Sequence, residues 1–166
     1  MRETLAAKLG VSPHDLTLDV SRNGKPELRH GKDHLWFSQS ATTGRTVVAL
    51  SRNGEVGIDI ERLDRPLDFG RIANRWFTPQ EASRIEQCSS DDTMRFEFMR
   101  IWTAREAAAK LTGEGMALAL PRHESFVDPM RVALRNGGLP KWIDVRIESP
   151  YLVSVAWSAI EWPPRL

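Results

Sequence analysis

Gly57-Ile-Asp-Ile-Glu61, followed about forty positions later by Trp102-Thr-Ala-Arg-Glu-Ala-Ala-Ala-Lys110, decides the reading of this chain. In the first stretch, strand geometry places Val56, Ile58 and Ile60 on one face and Gly57, Asp59 and Glu61 on the other. One face is then expected to pack into a core while the other presents acids. In the second stretch, Glu106 and Lys110 stand four apart on a helix and are surface neighbours. Three acids and one lysine brought together by folding suit a divalent metal and a phosphate. Each half also has a simpler reading. Asp-x-Glu fits an ordinary solvent-facing strand edge. Glu106 and Lys110 fit an intrahelical ion pair worth roughly 0.2–0.5 kcal/mol.

Outward from this pair, turn chemistry divides the chain. Ser21-Arg-Asn-Gly24, Ser51-Arg-Asn-Gly54 and Arg135-Asn-Gly-Gly138 are turn signals, since Asn-Gly accepts positive φ. Residues 46–50 and 56–60 flank the second of these and predict a β-hairpin. Leu5 and Leu9 share a helical face that Gly10 can close. A short helix is predicted over 68–76. Thr78, Pro79 and Glu81 form a capping box that starts another of about ten residues. A long helix follows from Asp91 or Asp92 to Leu111, with Gly113 beyond it. Its apolar stripe is Met94, Phe98, Ile101, Ala108 and Thr112, with Trp102 at the edge and Glu106 and Lys110 off it. Arg105 points toward the stripe and needs either a snorkelling route or a partner. The last third reads as β: residues 141–148 alternate, and 151–157 are apolar enough for a central strand.

Composition sets the class. Hydrophobic residues make up 41% and charged residues 27%, a globular and not a disordered balance. With 23 basic and 22 acidic side chains the formal net charge is +1, which argues against nucleic-acid binding driven by bulk charge. Cys88 is the only cysteine, so no disulfide forms within the chain. No apolar run is long enough to span a bilayer, no signal-peptide pattern opens the chain, and a cytoplasmic protein is expected. His14, His30, His34 and His123 have no metal-ligand spacing, and no Gly-rich phosphate loop is present.

Taken in order, five segments resemble the 4′-phosphopantetheinyl transferase superfamily. They are Gly24-Lys-Pro26, Phe37-Ser-Gln-Ser40, Gly57-Ile-Asp-Ile-Glu61, Phe77-Thr-Pro-Gln-Glu81 and Trp102-Thr-Ala-Arg-Glu-Ala-Ala-Ala-Lys110. Residues 113–121, Phe126 and the strand 151–156 look like the segments that follow in the family. The resemblance implies an α+β fold, an antiparallel sheet packed with helices, pseudo-duplicated with a reduced first half. It also implies one domain over 1–166, with 1–54 as the reduced N-terminal half and 55–166 as the half carrying the metal site.

The implied activity moves the phosphopantetheine arm of coenzyme A onto a serine of an apo acyl or peptidyl carrier protein and releases 3′,5′-ADP. By the same resemblance, Asp59, Glu61 and Glu106 would hold Mg²⁺, Lys110 would contact phosphate and support the leaving group, and Glu106 would be the base. Lys25, Ser38 and Gln39 would bind coenzyme A phosphates. Three departures stand out. Gln39 replaces a family histidine, Arg105 replaces a family lysine, and the segment ahead of Gly24 is shorter than in the surfactin-synthetase-activating type, so that a second copy could complete the first half. A non-catalytic relative that docks carrier proteins is the alternative, and a metal-dependent phosphohydrolase the weaker third.

Overall fold

Local sequence signals set most element boundaries. The structure, a computed structural model, describes residues 1–20, 24–29, 35–113 and 142–158, the side chains of 142–148 excepted. Helix α1 (Arg2–Leu9) ends on Gly10 at φ 71° and leads through a 3₁₀ turn to the hairpin β1 (Thr17–Val20) and β2 (Pro26–Arg29). A second hairpin joins β3 (Trp36–Thr42) to β4 (Arg45–Ser51). Strand β5 (Val56–Arg62) precedes α2 (Phe69–Trp76), α3 (Pro79–Glu86) and α4 (Asp91–Thr112), and the described chain closes with β6 (Trp142–Glu148) and β7 (Tyr151–Trp157). All pairings are antiparallel, and β7 is central in the order β5-β7-β6. The turns at 21–23 and 135–138, the segment 114–141 and the C-terminal prolines lie outside the described residues, as do His30, His34 and His123.

The predicted hairpin of 46–50 with 56–60 is not formed. β4 turns back at Thr43-Gly44 to pair with β3, and β5 takes β7 as its ladder partner, Asp59 opposite Ser154. The sequence signal at Ser51-Arg-Asn-Gly54 marks a chain reversal, but Gly44, also at positive φ, makes the tighter one. Strand pairing is non-local, and turn chemistry alone does not choose between adjacent candidates.

The helices follow their caps. In α3, Thr78 Oγ1 accepts from Glu81 N while Glu81 Oε2 accepts from Thr78 N, the reciprocal capping box. In α4, Ser90 caps the start, and Gly113 at φ 71° ends it. The main core lies between α2–α4 and β7, which contributes Leu152 and Ala156, and in it Phe98 stacks on Trp102 and meets Phe69 edge-on. A smaller core of Leu5, Ala6, Leu16, Leu35 and Phe37 joins α1 to the hairpins.

α4 is buried on more than the predicted stripe: Ala104, Ala107, Ala109 and Leu111 are covered as well. These small side chains let the helix lie close on β5 and β7. The closest approach is at Gly57, where a Cβ would sit 2.0 Å from Ala107 O and 2.5 Å from Leu111 N. The acid-bearing face of β5 is therefore not an open edge. It lies beneath α4, and Val56 through Ile60 are all buried.

Arg105 is fully buried, and its guanidinium meets Glu81 Oε2 at 2.5 Å and the Phe77 ring at 5.5 Å. The capping-box acid thus does two jobs, starting α3 and pairing the arginine of α4.

Candidate functional site

Asp59 stands at the middle of β5 and is 5% exposed. Its Oδ1 accepts from Lys110 Nζ at 2.7 Å and from Ser40 Oγ at 2.8 Å. Its Oδ2 is buried and has no hydrogen-bond partner among the described residues. An unsatisfied buried acceptor costs about 1–3 kcal/mol, more when charged. A lone pair left this way on a carboxylate suits a cation that completes it.

Lys110 does not close the intrahelical pair with Glu106. It reaches across to β5, where its ammonium donates to Asp59 Oδ1 and, at 2.9 Å, to Ser40 Oγ. Among the described residues no hydrogen bond or ion pair holds the Glu106 carboxylate. Burial first, then the nearby Asp59 and Glu61 charges, push the Glu106 carboxyl above the usual glutamate range, against the pull of Lys110. Glu61 is also pushed up, by burial and then by Asp59, while Arg65 opposes the shift from 2.7 Å at Glu61 Oε1. Both glutamates therefore sense the Asp59 charge. The three acids do not form a ready-made cage: among the described residues no group of three acid, histidine or cysteine side chains is gathered at metal distance. Mg²⁺ does not demand one, since it commonly takes one or two carboxylates, keeps waters, and accepts substrate phosphate oxygens. The residues present fit such an ion, and the orphaned Asp59 Oδ2 is the observation that says so.

A cleft of about 410 Å³ opens beside these groups, and its lining gathers Lys25, Ser38, Gln39, Glu106 and Lys110. All five sequence-predicted ligand and catalytic positions outside β5 thus share one wall. Lys25 projects from the loop before β2, and its Nζ donates to Leu111 O at 2.7 Å, near the C-terminal end of α4. Burial lowers its pKa, partly offset by Glu55 and Glu27. Ser38 is buried and its Oγ accepts from Ile58 N at 3.1 Å, so this hydroxyl also ties β3 to β5. Gln39 is exposed on the same strand. Glu61 lines a separate recess with Thr42, Arg62, Asp64 and Arg65.

Two partners escaped the sequence reading. Arg65 covers Glu61 from the turn after β5, and Ser40 bridges Asp59 and Lys110. Alternating hydroxyls at Ser38, Ser40 and Thr42 were the available signal for the second; nothing local marks the first.

An α+β fold in which a buried strand acid pairs with a helix lysine, beside a half-buried helix glutamate and a lysine-lined cleft, gathers groups whose chemistry suits a phosphorylated ligand. Residues 55–156, more than half of the chain, match the sequence model of the 4′-phosphopantetheinyl transferase superfamily, and the chain belongs to that family. It is 28% identical over 169 aligned positions to the 4′-phosphopantetheinyl transferase HetI of Nostoc sp. (strain PCC 7120), covering 99% of this chain and 70% of that protein. It is 30% identical to a 4′-phosphopantetheinyl transferase of Bacillus subtilis (83% of this chain, 56% of the relative). It is 38% identical to the 4′-phosphopantetheinyl transferase AcpT of Salmonella typhi (54% of this chain, 46% of the relative). The chain thus spans about half the length of the last two. No helix among the described residues is long and apolar enough to cross a membrane.

Proposed function

We propose that this chain transfers the 4′-phosphopantetheine arm of coenzyme A to a serine of an apo acyl or peptidyl carrier protein. The observation that carries the reading is the cleft that joins Lys25, Ser38 and Gln39 to Glu106 and Lys110, beside a buried Asp59 oxygen that lacks a partner among the described residues. Family membership supports the same reaction.

In this reading Asp59, Glu61 and Glu106 hold Mg²⁺, which when bound neutralises charge on the pyrophosphate and helps orient the attack. The carrier serine oxygen bonds to the pantetheine-bearing phosphorus. The bond from that phosphorus to the bridging oxygen breaks, and 3′,5′-ADP leaves with the electron pair. Glu106, or a water it positions, takes the serine proton. Lys110 donates to the departing phosphate, and Lys25, Ser38 and Gln39 hold the phosphates of the nucleotide end. Residues 1–166 act as one domain, with the metal site carried by 55–166. The setting is cytoplasmic.

Incubation with apo carrier protein, coenzyme A and Mg²⁺, read by mass spectrometry, tests this. A phosphopantetheine mass gain on the carrier is expected, lost in Asp59→Ala and in Glu106→Ala. No gain on several apo carriers overturns the activity, and gain undiminished in both variants overturns the metal assignment.

A further inference from the structure

Ser38, Ser40 and Thr42 occupy alternate positions of β3 and share one side of it. All three hydroxyls bond to β5. Ser38 Oγ accepts from Ile58 N at 3.1 Å, Ser40 Oγ donates to Asp59 Oδ1 at 2.8 Å, and Thr42 Oγ1 lies 3.4 Å from Glu61 Oε2. β3 pairs with β4 and β5 pairs with β7, so β3 and β5 share no backbone ladder. Side-chain hydroxyls bridge the two strands at three successive positions.

The middle hydroxyl differs from its neighbours. Ser40 Oγ donates to Asp59 Oδ1 and also accepts from Lys110 Nζ at 2.9 Å. It is buried, and among the described residues it is the one uncharged group that hydrogen-bonds to both the acid and the ammonium. A carboxylate is two-fold about its last torsion, so nothing in the Asp59 side chain itself decides which oxygen is spent. Two donors on Oδ1 decide it, and Oδ2 is left over.

We propose that Ser40 is a positioning residue for the cation site: its hydroxyl fixes the Asp59 carboxylate through Oδ1, anchors the Lys110 ammonium on that same side, and so reserves Oδ2 for the ion. The inference rests on the reading of Asp59 as a metal ligand. Without the hydroxyl, Asp59 loses a donor that orients it. Lys110 loses an acceptor and is free to draw on either carboxylate oxygen, including the one the ion needs.

The test is Mn²⁺ binding to the full chain without coenzyme A, followed by electron paramagnetic resonance, with thermal unfolding of the metal-free proteins alongside. Groups that orient metal-ligating side chains typically carry about ten-fold or more in metal affinity, and Ser40→Ala is expected to lose about that much. Ser40→Thr keeps the hydroxyl on a strand position that favours β-branching and is expected to retain wild-type affinity. Ser40→Cys keeps the shape with a weak donor and decides the matter if the alanine variant does not fold; its affinity is expected to fall as well. A folded Ala or Cys variant that binds Mn²⁺ as the wild type does overturns the role of Ser40 while leaving the metal site standing. A wild type that binds no Mn²⁺ overturns the metal reading and this inference together. A drop in unfolding temperature alone, with affinity unchanged, assigns Ser40 to strand registry and also overturns it.

Discussion

Lys110 Nζ lies 2.7 Å from Asp59 Oδ1, so the helix-borne cation is bound to the strand-borne acid and not to Glu106 one turn earlier on its own helix. The contact spans 51 residues of sequence and joins the two segments on which the family assignment turns. Lys110 is then both a neutraliser of Asp59 and a competitor for it. Replacing it with methionine keeps the length and removes the charge. Lys110→Met is expected to bind Mg²⁺ at least as well as the wild type and to show a larger rise in unfolding temperature on adding the ion. Transfer should nevertheless fall by about 10²-fold or more, the usual loss when a donor to developing charge is removed. Melts with and without Mg²⁺, beside the transfer assay, separate the two effects. A variant that loses Mg²⁺ binding would show that Lys110 supports the ion and does not compete with it.

Glu61 and Glu106 carry raised pKa values in the metal-free protein, chiefly from burial and then from neighbouring acids. The folded state therefore binds more protons than the unfolded chain over the window from the ordinary value of 4.5 up to the raised ones. Stability from these two groups is greatest below that window and declines as pH rises through it. At neutral pH both carboxylates weigh against the fold. Glu106→Gln should raise the unfolding temperature of the metal-free protein at neutral pH, because no hydrogen bond among the described residues depends on the charge. The advantage should vanish once the pH is below the ordinary glutamate range. Mg²⁺ should stabilise the wild type and not the variant. Melts across pH, with chelator and with Mg²⁺, check each point; a variant less stable than wild type at neutral pH would refute the assignment.

Gly57 allows the approach on which the site depends. An added methyl would meet backbone atoms of Ala107 and Leu111, which cannot swing aside as a side-chain tip can. Gly57→Ala is expected to push α4 from β5 at a cost of about 1–3 kcal/mol, typical of overpacking. The displacement would open the Lys110–Asp59 contact. Transfer should fall further than the lost stability explains at a temperature where the variant remains folded. Chemical denaturation combined with kinetics would show this; a destabilised variant with normal turnover would mean the helix position tolerates the shift.

What the sequence disclosed follows the range of the interactions. Thr78 with Glu81, Ser90 before Asp91, and Gly113 past Thr112 act within a turn of where they stand, and the helix bounds follow from them. The central place of β7 was readable from its apolar run, in which alternate residues are buried and the rest half-buried. The partner of β4 was not: Ser51-Arg-Asn-Gly54 was read as the hairpin turn, whereas the assembled sheet pairs β4 through Thr43-Gly44 with β3. Arg105 announced that it needed a partner; that the partner is Glu81 depends on how α3 folds back along α4. The same holds at the site. Residue types and order named Asp59, Glu61, Glu106 and Lys110, but the hydroxyl of Ser40 and the guanidinium of Arg65 enter through packing.

Gln39 lines the cleft with Lys25, Ser38 and Lys110, where the phosphates of coenzyme A are proposed to lie. Its amide offers a neutral donor. A charged donor to a phosphate oxygen makes a shorter bond of roughly twice the strength. The position is exposed, so an imidazole can be accommodated there without repacking a core. Gln39→His is therefore expected to lower the apparent KM for coenzyme A. The gain should be greatest at mildly acidic pH, where the ring is protonated, and should shrink above the ordinary histidine pKa of about 6.5. Stability and Mg²⁺ affinity should not change. The discriminating comparison is dephospho-coenzyme A, which lacks the 3′-phosphate. If the new imidazole serves that phosphate, the improvement should vanish with this substrate; an equal improvement with both would place position 39 against the pyrophosphate instead. An unchanged or higher KM for coenzyme A across the pH range would remove Gln39 from the nucleotide site.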